Sequence, residues 1–256
     1  MSRLQIEQIP VLTDNYVYLL HDPASLATAA VDPAVAEPVE ERLAQKGWTL
    51  THILNTHHHG DHTGGNLALK QRYGARIVGA RNDSQRIPGI DAQVADGDSF
   101  LLGEAAAVVM AVPGHTSGHI AFWFPESHAL FCGDTLFALG CGRLFEGTAE
   151  QMWSSLLKLR GLPDDTMVYC AHEYTQSNAR FARLLERDNK ALLTRIDDID
   201  AKRSRDLPTV PSPLAIERAT NPFLRADIES VKKGVGLPGE DPIRVFAEIR
   251  RRKDAF

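Results

Sequence analysis

Cysteine is scarce in this chain, three in 256 residues. So few, and an odd number, argues against a disulfide framework and fits a reducing compartment. Long apolar runs are missing as well, and none approaches membrane-spanning length. The opening Met1-Ser2-Arg3-Leu4-Gln5-Ile6-Glu7 lacks the basic end and apolar centre of a signal peptide, so the cytoplasm is the expected location. Positive charge is not in excess either. The formal net charge of -5 disfavours a general binder of nucleic acid or membrane surface, while leaving room for a local basic patch. Neither an internal repeat nor a coiled-coil or interface pattern is visible, which leaves a monomer as the expectation. The length allows a large core, as one big domain or a main domain with a smaller companion.

What the chain does have is concentrated at Thr56-His57-His58-His59-Gly60-Asp61-His62, five potential metal ligands in six consecutive positions. In an extended segment side chains alternate faces, so His57 and His59 can share one ion. Asp61 and His62 are adjacent and reach that same ion less easily, so the spacing points to a second metal. Further candidates each follow an apolar, strand-like run: His115 after 107–112, Asp134 after 129–133, and His172 after 167–171. Strand ends and the loops beyond them are where α/β sheets present chemistry. Together His57, His59, Asp61, His62, His115, Asp134 and His172 can form two sites of three nitrogen or oxygen ligands, with Asp134 as the bridge. Imidazole and carboxylate without thiolate suit Zn, Fe or Mn.

The first part of the chain alternates short strands with amphipathic helices. Strands are expected at 16–20 and 26–31 around Asp22-Pro23, then at 51–56, 76–80, 99–102, 106–112, 120–124 and 129–132. Val35, Val39 and Leu43 recur at helical spacing before Gly47, and Gly64-Gly65 lets a helix to about Tyr73 start close to the ligands. Thr148 and Gln151 have capping-box spacing before a helix that ends near Gly161. After His172 strand patterns vanish. Helices are expected at 178–187 and 191–203, a proline-rich break at 207–213, and a last helix at 243–252 capped by Asp241-Pro242. The expected division is therefore 1–172 and 173–256.

His-x-His-x-Asp-His, with Gly-His-Thr-x-Gly-His at 114–119, Gly-Asp-Thr at 133–135 and Cys-Ala-His-Glu-Tyr at 170–174, resembles the metallo-β-lactamase superfamily. Within it, Gly140-Cys141-Gly142-Arg143-Leu144-Phe145-Glu146-Gly147-Thr148, Asn221-Pro222-Phe223 and Arg250-Arg251-Arg252-Lys253-Asp254 resemble the glyoxalase II, or hydroxyacylglutathione hydrolase, family. The resemblance spans nearly the whole chain. It implies an α/β fold, an αββα sandwich followed by a small helical domain that binds substrate. It also implies hydrolysis of S-(2-hydroxyacyl)glutathione, S-lactoylglutathione above all, to glutathione and a 2-hydroxy acid, the second step of methylglyoxal detoxification. No cysteine occupies a ligand position of the motifs. With histidines neutral, two divalent ions, Asp61, Asp134 and a bridging hydroxide would carry a charge of about +1. Water bound there ionises near pH ~7, so a hydroxide held by Asp134 and the two metals is the expected nucleophile, and a thiolate needs no dedicated acid to leave. By the same likeness Arg143, Tyr174, Arg250 and Lys253 match positions that contact glutathione. Arg143 stands where some members have Lys, and Phe145 where a Tyr would supply a hydroxyl.

Simpler readings stand beside these. His21, His52 and His128 are assigned to surface or core. His58 and His119 are expected behind the ligands, since metal-bound imidazoles need oriented neighbours. Asp32 is either another such partner or a turn aspartate. A basic last turn at 250–253 also merely complements a helix dipole. Three other functions share the motifs. They are a persulfide dioxygenase with one iron on His57, His115 and Asp134, a nuclease with the same dinuclear centre, and a non-catalytic metal-binding protein. The helical tail and the Arg143 segment speak against the first, the acidic balance against the second, and the intact ligand set against the third.

Overall fold

The computed structural model describes residues 3–256, and its chain divides into two compact units, 1–111 with 117–133, and 112–116 with 134–256. Met1 and Ser2, where the segment read for a signal peptide begins, lie outside the described residues. Among the described residues no helix is long and apolar enough to cross a membrane.

The first unit is built on a mixed six-stranded sheet. Strands β1 (Gln5–Val11), β2 (Asn15–His21) and β3 (Thr28–Val31) run antiparallel, and β3, β4 (His52–Leu54), β5 (Arg76–Ala80) and β6 (Ala92–Val94) run parallel. Helices α1 (Glu37–Lys46) and α3 (Asn66–Tyr73) follow the crossovers, with α2 (Gly60–Thr63) a single turn between them. One face of this sheet buries Val17, Leu19, Ile53 and Ile77 against Val39 and Leu43 of α1 and Leu69 of α3. Gly47 and Gly74, both left-handed, end α1 and α3, as only glycine does without strain. A second, antiparallel run of strands follows: β7 (Ser99–Leu102), β8 (Ala105–Ala111), β9 (Ile120–Phe124) and β10 (Ala129–Gly133). Aromatic edges join the two sheets. Tyr18 of β2 meets Phe131 of β10 at 5.6 Å, and His52 of β4 meets Phe100 of β7 at 5.6 Å. The sequence pattern missed β1, where Ile6, Ile9 and Val11 break strict alternation, and β6, which is only three residues long.

The second unit opens with a two-stranded hairpin, β11 (Leu136–Phe137) and β12 (Gly140–Cys141), then α4 (Ala149–Arg160) and β13 (Met167–Cys170). The capping box on α4 is complete, with Gln151 N donating to Thr148 Oγ1 and Thr148 N donating to Gln151 Oε1. Helices α5 (Thr175–Leu185), α6 (Lys190–Arg203), α7 (Leu214–Thr220), α8 (Glu229–Gly234) and α9 (Pro242–Asp254) follow. Asp241 caps α9 by accepting from Ile243 N at 2.8 Å. Strand pairing does not vanish after His172. Ser212–Pro213 forms β14, antiparallel to β13, a two-residue pairing too short to leave a period in sequence. The core here stacks Phe223 on Phe181 and sets it edge-to-face with Phe246, with Leu139 packed among Ala179, Ala182, Leu192 and Ile196.

Candidate metal centre

In the first unit the ligand loop leaves β4, a central strand with parallel neighbours on both sides. Asp32 follows the adjacent β3, and the register pairing Val31 with Leu54 brings it level with the loop. Its backbone is left-handed, φ 49°, and its side chain is buried. Asp32 Oδ1 accepts from Thr56 N at 2.8 Å, and Oδ2 accepts from Thr56 Oγ1 at 2.6 Å and lies 3.1 Å from His62 Nδ1. Ligand atoms of Asp32, His57 and His62 lie within 4.8 Å of one another. With its oxygens already engaged by Thr56 and His62, Asp32 fits a group that orients ligands better than one that binds an ion.

The same logic recurs at each imidazole. His57 Nδ1 sits 3.1 Å from Thr56 Oγ1, so its Nε2 faces His59 Nδ1 at 3.0 Å. His62, tied through Nδ1 to Asp32, turns Nε2 toward Asp61 Oδ2 at 3.6 Å. His119 stacks on His57 at 4.6 Å, and His58 Nδ1 pairs with the buried Asp83 at 3.2 Å. Arg86 donates to that Asp83 and to Ser117 Oγ. Gly133 is left-handed at φ 47°, and a Cβ there would lie 2.2 Å from Thr56 Oγ1.

The second unit assembles its own set. His115 Nε2 and His172 Nε2 approach the two oxygens of one carboxylate, Asp134, at 3.4 and 3.3 Å. His115 Nδ1 is 2.9 Å from the carbonyl of Arg143, which sets the ring's direction. His172 stacks on Tyr174 with ring centres 4.8 Å apart. Gly142 is needed for this approach, because a Cβ would stand 2.0 Å from the Asp134 carbonyl and 3.0 Å from His115 Nδ1. Imidazole nitrogens and carboxylate oxygens that face one another, each imidazole steered by a neighbour, are a donor set suited to divalent ions.

The four expected contacts of the substrate peptide lie in the second unit and differ from one another. Arg143 is exposed, and Tyr174 is 37% exposed. Arg250 is buried. Its Nη1 donates to the Cys141 carbonyl at 2.9 Å, Nη2 pairs with Asp254 at 2.8 Å, and the guanidinium lies 5.1 Å from the Phe223 ring centre. Lys253 is half-buried, donates to Ser177 Oγ at 3.1 Å, and faces the rings of Phe181 and Phe256. Burial first, then Arg250, Arg180 and Arg143 nearby, push its ammonium down to about 8. Phe145 is 62% exposed and meets the His115 ring edge at 5.2 Å. His21, read as a structural residue, stacks on Trp48, and burial lowers its pKa.

Sequence reasoning passed over several supports. Asn15 donates to Asp61, Asn55 donates to the His62 carbonyl at 3.0 Å, and Asn66 donates to Asn55 at 2.8 Å. A buried asparagine reads in sequence as a turn residue, and its partner becomes visible only in three dimensions.

The family model of the metallo-beta-lactamase superfamily matches residues 19–172, and that of the hydroxyacylglutathione hydrolase C-terminus matches residues 173–256. The chain is 63% identical to a hydroxyacylglutathione hydrolase of Methylococcus capsulatus over 99% of both chains. It is 54% identical to one of Rhodospirillum rubrum over the full length of both. Among solved structures it is similar to ETHE1 from Myxococcus xanthus, with a TM-score of 0.67, 27% identity and coverage of 98% of this chain and 99% of that one. The fold is the one expected from the sequence, mixed sheets with helices and a helical C-terminal part.

Proposed function

We propose, for a chain that belongs to the metallo-beta-lactamase superfamily and within it to the hydroxyacylglutathione hydrolases, that it hydrolyses S-(2-hydroxyacyl)glutathione, S-lactoylglutathione first among them. The observation that carries the reading is full-length identity of 63% and 54% to hydroxyacylglutathione hydrolases, in a chain whose His and Asp donors are oriented as described. Water and the thioester carbonyl carbon form the new C–O bond, the C–S bond breaks, and the products are a 2-hydroxy acid and glutathione.

His57, His59, Asp61, His62, His115, Asp134 and His172 would hold two divalent ions, with Asp134 as the shared carboxylate, because its two oxygens each face a different imidazole. Zinc is the ion we favour, with iron or manganese served by the same donors. When bound, such ions supply Lewis acidity, lowering the pKa of water to ~7 and stabilising an oxyanion. The chain's own part is orientation. Asp32 and Thr56 hold the imidazoles of His62 and His57, and the Arg143 carbonyl holds His115. A thiolate leaves readily, so no side chain is required to protonate it. Arg143, Tyr174, Arg250 and Lys253 would bind the glutathione carboxylates and peptide, with Lys253 and Arg143 offering direct charge and Arg250 acting largely through Cys141 and Asp254.

The catalytic ligands fall within 1–172 and most of the peptide-binding residues within 173–256, which is the division of labour we propose. A monomer in the cytoplasm is our reading, and three buried free cysteines fit the reducing compartment it requires. The test is steady-state loss of the S-lactoylglutathione thioester, beside a chelated control. Turnover abolished by chelation is expected, and no turnover by fully metallated protein refutes the reading. Asp134→Ala is expected to lose both ions. Metal content equal to wild type would rule out a shared carboxylate.

A further inference from the structure

Asp61, one of the residues proposed as ligands, is partly open to solvent. It sits in α2, a helix of four residues, and its side chain is 42% exposed, whereas that of His62 beside it is 1% exposed. His62 is held from behind by Asp32. Something must do the same for Asp61 if its oxygen is to stay in place.

Asn15 is placed to do so. It is buried, opens β2, and pairs with Val11 in the hairpin with β1, so its backbone is fixed by the sheet. Its Nδ2 donates to Asp61 Oδ2 at 3.1 Å and to the Asp61 carbonyl at 3.3 Å. The amide therefore ties both the side chain and the main chain of the same residue. Oδ2 is also the oxygen 3.6 Å from His62 Nε2. The choice of an amide matters chemically. A lysine here would neutralise the carboxylate and compete with a cation, whereas an uncharged donor restrains it and leaves its charge available, since a carboxylate accepts about four hydrogen bonds.

We infer that Asn15 is a positioning residue for Asp61, and that it sets how tightly the metal site containing Asp61 and His62 holds its ion, without affecting the site containing His57 and His59. The inference rests on the proposed metal-ligand assignment, and it does not depend on which thioester is cleaved. Loss of a group that orients a ligand typically costs about 10- to 100-fold in metal affinity.

The experiment titrates Zn(II) into the metal-depleted full chain against a chromophoric chelator. Wild type is compared with Asn15→Ala, Asp61→Ala and the double variant, and circular dichroism checks each metal-free fold. In Asn15→Ala one class of zinc is expected to weaken about 10- to 100-fold while the other stays unchanged, and Asn15→Ala is expected to add no further loss in the Asp61→Ala background. Asn15→Leu, which keeps the buried volume and removes both donors, should behave as Asn15→Ala does and replaces it if the smaller side chain unsettles the hairpin. Wild-type affinity at both sites, equal weakening of both, or a further loss in the Asp61→Ala background would overturn the inference. Because the readout is zinc, a protein that binds two ions with this pattern yet leaves the thioester intact would refute the hydrolase reading and leave the role of Asn15 standing.

Discussion

Glu217 is the most completely enclosed carboxylate of the second unit, and replacing it by glutamine tests how that unit supports the site. The side chain is 0% exposed, and that of its partner Arg195 is 9% exposed. Glu217 also accepts from Ser212 Oγ, from Leu139 N at 2.9 Å and from Asn221 Nδ2 at 3.2 Å. Asn221 in turn donates to the carbonyls of Phe137 and Gly140 at 3.0 Å each, holding the β11–β12 hairpin that leads to Gly142 and Arg143. Glu217→Gln is nearly isosteric, keeps one acceptor and removes the charge, which leaves the Arg195 guanidinium buried without its counter-ion. Breaking a buried pair from one side costs about 3–5 kcal/mol. At about 2–4 °C per kcal/mol for a chain of this size, the midpoint should fall by roughly 6–20 °C. Thermal unfolding followed by circular dichroism measures the drop, and Arg195→Met with the double variant gives the coupling energy. A fall under about 2 °C, or additive single losses, would show that the pair contributes nothing net and that the hairpin is held by other means.

Gly142→Ala should lower kcat at least tenfold and reduce metal content with little loss of fold, because its Cβ would stand 2.0 Å from the Asp134 carbonyl. Wild-type kcat and metal content would refute the close approach. With Lys253 in its proposed role as a substrate-binding cation and its ammonium pushed down to about 8, KM should rise as pH climbs through 8 while kcat holds, and Lys253→Gln should flatten that rise. The sign for stability is opposite. A lysine whose pKa is depressed from ~10.4 in the unfolded chain opposes folding most below about pH 8, and this opposition fades as pH rises toward ~10.4. Chemical denaturation at pH 7 and pH 10, wild type against Lys253→Gln, checks it. Phe145→Tyr adds a hydroxyl to an exposed ring beside His115 and should lower KM by about 2- to 10-fold, one hydrogen bond's worth of ~0.5–1.5 kcal/mol, with kcat unchanged. An unchanged KM would mean that the ring does not meet the peptide.

Much of the centre was legible because its chemistry is local in sequence. Five candidate ligands lie within 57–62, and the others each follow an apolar strand, so type and spacing alone pointed to metals. The helix termini were equally readable, since Thr148 with Gln151 and Asp241 with Pro242 satisfy backbone donors within one turn. Strands β6 and β14, of three and two residues, were not, because they exist only as partners of β5 and β13.

The sequence by itself determined which residues could bind metal, the longer helices and the α/β class, because these depend on side-chain chemistry and on periodicities of several turns; the short helices α2, α7 and α8 carry too few residues to show one. Only the tertiary structure decided what those residues lean on. Asp32 turned from an ambiguous turn aspartate into the support of His62 because β3 and β4 are parallel neighbours in register. Arg250, expected as a substrate contact, has a buried guanidinium held by Cys141, Asp254 and Phe223, partners that no local pattern announces. Asn15 met Asp61 across 46 positions. Hydrogen bonds of that separation leave no local period or spacing, so they are visible only once the sheets have brought their ends together.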